Sequence, residues 1–227
     1  MLSLFETSSE VAGYRLEYME VLNWGTFDGS VHSIQPEGNN SLLTGANASG
    51  KSTFIDALLT LLVPRKNQRF YNQSSGVEKK GDRTEETYVL GYYGNIQKEG
   101  MSSTSVQALR RRDAGTWSII LAAFTNKDHK PVTIFQVRRF SNGKLVRDFG
   151  IARELIKIEN EFSKIDKNWK KRLREKIDKP TARREILQLF SGPTDYENRL
   201  IELFGMRGEN ALNLFNLIVG VKVLNDL

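Results

Sequence analysis

The sequence predicts an α/β fold built on a phosphate-binding loop, with an antiparallel β meander and C-terminal helices. Three observations predict it. An apolar triplet, Ser41-Leu42-Leu43, runs into the loop G-x-x-x-x-G-K-S from Gly45 to Ser52 and on into the helical pattern FIDALLTLLV. Alternating apolar runs bounded by turn residues lie on both sides of that unit. From Ile151 onward, leucine and isoleucine recur at roughly helical spacing among charges.

The elements follow in order. Residues 1–12 are polar and patternless, and read as a loose N-terminal arm. Tyr14 to Leu22 alternates as a strand should, and Asn23-Trp24-Gly25 marks a turn. Phe27 to Ile34 is a second strand, and Pro36 to Asn40 a loop. Ser41 to Leu43 is a short strand before the glycine-bounded loop. Lys51 to Val63 is a helix that Pro64 ends. Residues 64–104, with five glycines and many amides, form a long, partly irregular insertion. Ser105 to Arg110, Trp117 to Phe124 and Val132 to Phe140 read as three strands of a meander. Asn126 to Pro131 and Ser141-Asn142-Gly143 supply the turn chemistry between and after them. Ile151 to Ile177 reads as helix and Pro180 breaks it. Thr181 caps a helix to Phe190, and Ser191-Gly192-Pro193 breaks that one. Two more helices run from Tyr196 to Phe204 and from Asn210 onward. The expected division is arm 1–12, P-loop lobe 13–150 and helical extension 151–227. The last stretch, NLFNLIVGVKVLNDL, is apolar without a polar tail or cap, so we expect a fragment of a longer chain.

Composition excludes several classes. The 227 residues are 39% apolar and 26% charged, an ordinary globular mixture that argues against disorder. Cysteine is absent, which removes disulfide scaffolds, cysteine zinc sites and cysteine nucleophiles. Two histidines far apart, His32 and His129, argue against a histidine metal site and are read as having no special role. The net charge of +6 permits a polyanionic partner without requiring one. No signal peptide or membrane-length apolar run is visible, so the expectation is a soluble cytoplasmic protein.

The loop carries the chemistry. Backbone N–H groups must wrap around phosphates, and side chains at the two ends of the loop would block the wrap, so Gly45 and Gly50 stand there. Ala46, Asn47, Ala48 and Ser49 form the cradle between them. The loop delivers phosphate to the first turn of a helix, where free N–H groups and the dipole favour negative charge. Lys51 is the catalytic cation bridging the β- and γ-phosphates, and the Ser52 hydroxyl is the Mg²⁺ ligand. Thr53 is placed to donate to the α-phosphate. ATP and Mg²⁺ are the implied cofactors.

The rest of a P-loop ATPase is missing. A Walker B strand needs an apolar run ending in aspartate, but Ser118 to Phe124 ends in Thr125 and Val132 to Val137 leads into Arg138-Arg139. No LSGGQ-like signature occurs. Two readings remain: half of a split nucleotide-binding domain, or a small kinase with a degenerate Walker B. The loop follows two earlier strands and precedes a meander, rather than opening a run of alternating β and α units. That order favours an ABC-type amino-terminal lobe.

LEYMEVLNWGTFDG, LLTGANASGKSTFIDALLTLLVP, FYNQSSG and YVLGYYGN resemble the amino-terminal head segment of SMC-like ATPases. The segment looks like that of MukB-type condensins, and in particular resembles the SMC-like subunit of Wadjet plasmid-defence systems. The resemblance is continuous from about Tyr14 to Gly94 and weaker beyond. It implies an ABC/SMC-type amino-terminal lobe, completed by a carboxy-terminal lobe of the same protein that supplies signature and Walker B beyond a coiled coil. It implies a second head, kleisin-type and accessory subunits, DNA as partner, no membrane, and association with nucleoid or plasmid. Two heads would sandwich two nucleotides, and the coiled-coil arms would turn closing and reopening into DNA loop extrusion. Such P-loops often have glycine where this chain has Ala48. An SbcC-like DNA-repair ATPase, a stand-alone kinase and a non-catalytic ATP sensor are the other readings.

Three secondary signals remain. Tyr18, Trp24 and Phe27 are candidates for the adenine edge, or for plain sheet packing. Arg65, Lys66, Arg69, Lys79, Lys80 and Arg83 cluster in the insertion, which by the resemblance borders nucleotide and DNA, against the reading of a solvated loop. Residues 164–184 hold ten basic and three acidic side chains. Lys170, Lys171, Arg172 and Arg174 are therefore candidate DNA contacts, against the reading of an ordinary wet helix face.

Overall fold

The computed structural model describes residues 13–69, 71, 83–97, 104–113, 115–178 and 185–206. Their strands in chain order are β1 (Tyr14–Trp24), β2 (Phe27–Ile34), β3 (Tyr92–Gln97), β4 (Thr104–Ala108), β5 (Trp117–Asn126), β6 (Pro131–Ser141), β7 (Lys144–Ala152) and β8 (Leu187–Phe190). The helices are α1 (Lys51–Leu62), α2 (Glu85–Leu90), α3 (Ile158–Glu161), α4 (Trp169–Ile177) and α5 (Pro193–Phe204).

Six strands form one sheet in the order β2-β1-β5-β6-β7-β8, each pair antiparallel. β3 and β4 make a separate hairpin. Helices cover both faces of the large sheet, which explains why β5 reads as an unbroken apolar run instead of an alternation. Ile120 and Ala122 face one way, with Met19, Val21, Ile134 and the apolar sides of α1, α2 and α5. Ile119 and Leu121 face the other way, with Phe135, Val137 and residues of α3 and α4. Glu20, nearly buried, accepts the Ile158 N–H at 2.7 Å and so ties β1 to the start of α3. Burial is the main cause that holds its carboxyl above the usual range.

A buried charge network locks α1 to the sheet. Glu85, at the start of α2, receives Arg69, Arg147 at 2.5 Å and Arg138 at 3.3 Å. Arg69 and Arg138 are almost wholly buried, and burial pulls both guanidiniums below arginine's usual range. The same groups cap the last carbonyls of α1. Arg69 donates to Val63 O at 2.9 Å, and Arg138 holds Gln136, whose amide donates to Thr60 O at 2.9 Å. Tyr196 of α5 donates to Leu61 O at 3.1 Å. Cations at the negative end of a helix are electrostatically favoured there.

Several expected elements differ. Ser41 to Leu43 is not a strand of any sheet, and Leu42 is 86% exposed. It has neither a ladder partner nor a packing surface among the described residues. The meander is β5-β6-β7, because the first expected strand pairs with β3 instead. β7 falls where no element is expected from the sequence, and its Arg147 and Asp148 are ion-paired to Glu85 of α2 and Lys170 of α4. Asn142 and Gly143, at φ 49° and 71°, form the tight turn that reverses the chain into it. The long helix expected from Ile151 is instead the end of β7 followed by α3 and α4. Leu187 to Phe190 is a strand, not a helix, since the β7 edge offers it hydrogen bonds. Thr181 and the stretch from Asn210 lie outside the described residues. α1 and α5 form within a few residues of expectation.

Glu85→Ala leaves buried guanidiniums without their counter-ion. It is expected to cost about 3–5 kcal/mol in chemical denaturation. A loss below about 1 kcal/mol would show that the network contributes little.

Candidate phosphate-binding site

The loop from Gly45 to Gly50 opens at the N-terminus of α1. Gly45 has φ 154°, and a Cβ there would stand 2.7 Å from Ser49 Oγ. Gly50 is left-handed at φ 90°, and a Cβ there would strike the Phe27 ring. Both positions therefore require glycine for shape as well as backbone freedom. Ala48 is also left-handed, at φ 62°, where an L-residue costs roughly 1–2 kcal/mol relative to glycine. That is the physical content of its departure from the glycine usual in similar loops.

The helix start is open. Gly50 gives no side-chain cap, and the first described N–H bonds are Ser49 to Ala46 O at 3.3 Å and Phe54 to Gly50 O at 3.1 Å. The N–H groups of Lys51, Ser52 and Thr53 have no protein partner among the described residues, and no acidic residue sits in this turn. Such a terminus attracts anions. Lys51 Nζ donates to Gly45 O and Ala46 O, both at 2.6 Å, and reaches Ser49 Oγ at 3.4 Å. The ammonium thus lies across the loop mouth. Ala46, Asn47, Ala48, Ser49 and Ser52 are exposed, while Lys51 and Thr53 are half-buried. Nine consecutive candidates, Gly45 to Thr53, therefore share one surface. This set fits a nucleotide triphosphate with Mg²⁺: N–H groups and Lys51 for phosphate, and the Ser52 hydroxyl for the ion. Asp56, one turn on, points into the core, where it receives the Tyr88 hydroxyl and lies 3.5 Å from Arg83. Both the buried site and the adjacent Asp56 charge raise the Tyr88 phenol well above its usual range.

The other candidates are dispersed. Trp24 is fully buried and stacked on Tyr88 at 4.8 Å, and Tyr18 donates to Ile156 O at 2.8 Å. Both are packing residues. Phe27 alone reaches the loop, under Gly50 and against Phe54 at 5.1 Å. Arg65 pairs with Glu197 at 2.8 Å, Arg69 with Glu85 and Arg83 with Asp56, so these three serve the interior. Lys66 starts a single helical turn, and Lys79 and Lys80 lie outside the described residues. His32 sits in β2 beside Ser30 and His129 in a turn.

On α4, Lys170 is bound to the buried Asp148 at 2.5 Å and Arg172 to Asp166 at 2.9 Å. Lys171 stands 3.8 Å from Glu175 in an exposed i,i+4 pair, and Arg174 is exposed. The helix buries Trp169, Leu173 and Ile177 on the sheet face opposite α1. Helix α4 and the phosphate loop therefore belong to opposite faces of the sheet. Sequence reasoning missed Arg110, which ties the β1–β2 turn to α2, because its acceptors lie up to 85 residues away.

A family model described as the P-loop containing region of AAA domain matches residues 16–78, which include the whole loop. No curated protein matches the chain. The loop, the helix behind it and this match define a P-loop NTPase region, set in a mixed α/β fold with a large antiparallel sheet. None of the described helices is long and apolar enough to cross a membrane.

Lys51→Ala removes a charge that the fold uses only to bridge exposed loop carbonyls. ATP affinity is expected to fall by roughly 10–100-fold, the loss of a charge-assisted contact. Stability without nucleotide should move by less than about 0.5 kcal/mol. Calorimetric titration and thermal melting check the two halves. A drop in melting temperature with unchanged affinity would make the lysine structural.

Proposed function

We propose that this chain is the ATP-binding amino-terminal head lobe of an SMC-like ATPase of the MukB/Wadjet type. The observation that carries the reading is the segment entering the loop. Leu42 and Leu43 are 86% and 37% exposed and joined to no strand among the described residues, although they precede an intact phosphate cradle. A site-bearing segment left open in this way suits a strand supplied from elsewhere. In this reading that strand comes from the protein's own carboxy-terminal lobe, along with Walker B and signature. The resemblance over Tyr14 to Gly94 and the missing Walker B support the same reading.

Within it, Lys51 meets the β- and γ-phosphates, Ser52 ligates Mg²⁺ and the loop N–H groups hold the remaining phosphate oxygens. Mg²⁺ supplies charge neutralisation on the phosphates. A second head closes over the nucleotide, and kleisin-type and accessory subunits with DNA complete the assembly. Plasmid defence or chromosome organisation is its setting. DNA contact falls on Lys171 and Arg174 more than on Lys170 and Arg172, whose charges are already engaged. Duplex affinity that is insensitive to salt would remove DNA from this reading.

The reading expects Mg²⁺-dependent ATP binding with very slow hydrolysis by the chain alone, measured by titration and phosphate release. Turnover near the usual enzyme range of about 1 s⁻¹ or faster, abolished by Lys51→Ala, would contradict it and favour a kinase.

A further inference from the structure

Arg110 lies outside the loop and outside α1, yet all five of its N–H donors are engaged. Nε donates to Val89 O at 2.8 Å. Nη1 donates to Asp28 Oδ1 at 2.7 Å and to Phe27 O at 3.3 Å. Nη2 donates to Gly25 O at 2.7 Å and to Tyr88 O at 3.1 Å. The acceptors form two groups: the β1–β2 turn, and carbonyls at the end of α2. The side chain is 8% exposed, so its bonds to the four carbonyls are largely shielded, while the bond to Asp28 lies at the surface. Gly25 N also donates to Tyr88 O at 2.8 Å. Gly91 ends α2 at φ 68°, and a Cβ there would stand 2.7 Å from both Arg110 Nη2 and Gly25 O. The guanidinium therefore sits in a slot that a glycine keeps open.

The turn held in this way forms the bed of the phosphate cradle. The Phe27 ring lies directly under Gly50, the left-handed residue that turns the loop into α1. A Cβ on Gly25 would come within 2.8 Å of Thr53 Cγ2, so the turn backbone packs on the first helical turn as well. Phe27 and Phe54 continue the contact at 5.1 Å. Gly50 precedes the three open N–H groups of the helix start, and Thr53 carries the last of them.

We infer that Arg110 is a positioning residue for the nucleotide site: by fixing Gly25 and Phe27 it sets where Gly50 and the α1 N-terminus stand. The inference rests on the reading of the loop as an ATP site. Lysine cannot replace the arginine, since an ammonium has three donors on a single centre in place of a planar fork. Asp28, whose side chain is 48% exposed, supplies only one of the five acceptors.

The test measures ATP–Mg²⁺ affinity and nucleotide-free melting on the full chain. The variants are Arg110→Lys, Phe27→Leu, the double variant, Asp28→Asn and Lys51→Ala. Arg110→Lys is expected to weaken ATP on the order of tenfold or more at temperatures where the chain stays folded. Phe27→Leu should weaken it similarly, and the double variant should be no worse than the worse single, because one acts through the other. Asp28→Asn, which keeps the carbonyl bonds, should weaken it less. Lower melting with unchanged ATP affinity in Arg110→Lys would overturn the inference, as would additive losses in the double variant. If Arg110→Lys fails to fold, Asp28→Asn and Phe27→Leu decide: unchanged affinity in both overturns it. Failure of the ATP reading looks different, with no binding by the parent chain or no loss in Lys51→Ala, and it would remove the inference too.

Discussion

Helix α1 is held at one end and open at the other, and the rest of the structure follows from that asymmetry. Its last carbonyls are taken by Gln136, Tyr196 and Arg69, each anchored in a different part of the fold. Three arginines converge on Glu85 behind them. A helix fixed in this way cannot slide or tilt without breaking buried polar bonds, which are costly to leave unmade. Its N-terminus is left with N–H groups that no group among the described residues satisfies. Fixed geometry together with unsatisfied donors is what a preorganised anion site requires.

The legible part of this was local. The glycines of the loop, the lysine after them and the amphipathic run to Val63 all lie within one stretch, and their chemistry can be read from spacing. The first hairpin and the two central strands were legible too, because turn residues bracket alternating or fully apolar runs. What escaped depended on partners distant in sequence. β7 carries Lys144, Arg147 and Asp148, and nothing local shows that Glu85 and Lys170 will neutralise two of them. β8 has ordinary helix formers and becomes a strand because an edge is available. Trp24 and Tyr18 are aromatics near the loop in sequence but point into the core. Arg110 had no local signal at all.

The triplet before the loop fails in a more informative way. Its sequence suits a buried strand, yet Leu42 is almost fully exposed. The apolar runs of β5 and β6, by contrast, are covered. A burial signal without burial means either that the local pattern misleads or that another surface covers these residues. The second explanation unites the exposed leucines with the intact cradle and the missing hydrolytic carboxylate, and it is the physical core of the proposed half-site.

Amide hydrogen exchange at Leu42, Leu43 and Thr44, measured on the monomeric chain, tests that core most directly. These amides donate no backbone hydrogen bond among the described residues. The account predicts near-unprotected exchange there, beside strong protection across Ile119 to Phe124 in β5. Protection of Leu42 to Thr44 comparable to that of β5 would contradict it, because the chain would then cover its own loop-bearing segment and need no second lobe.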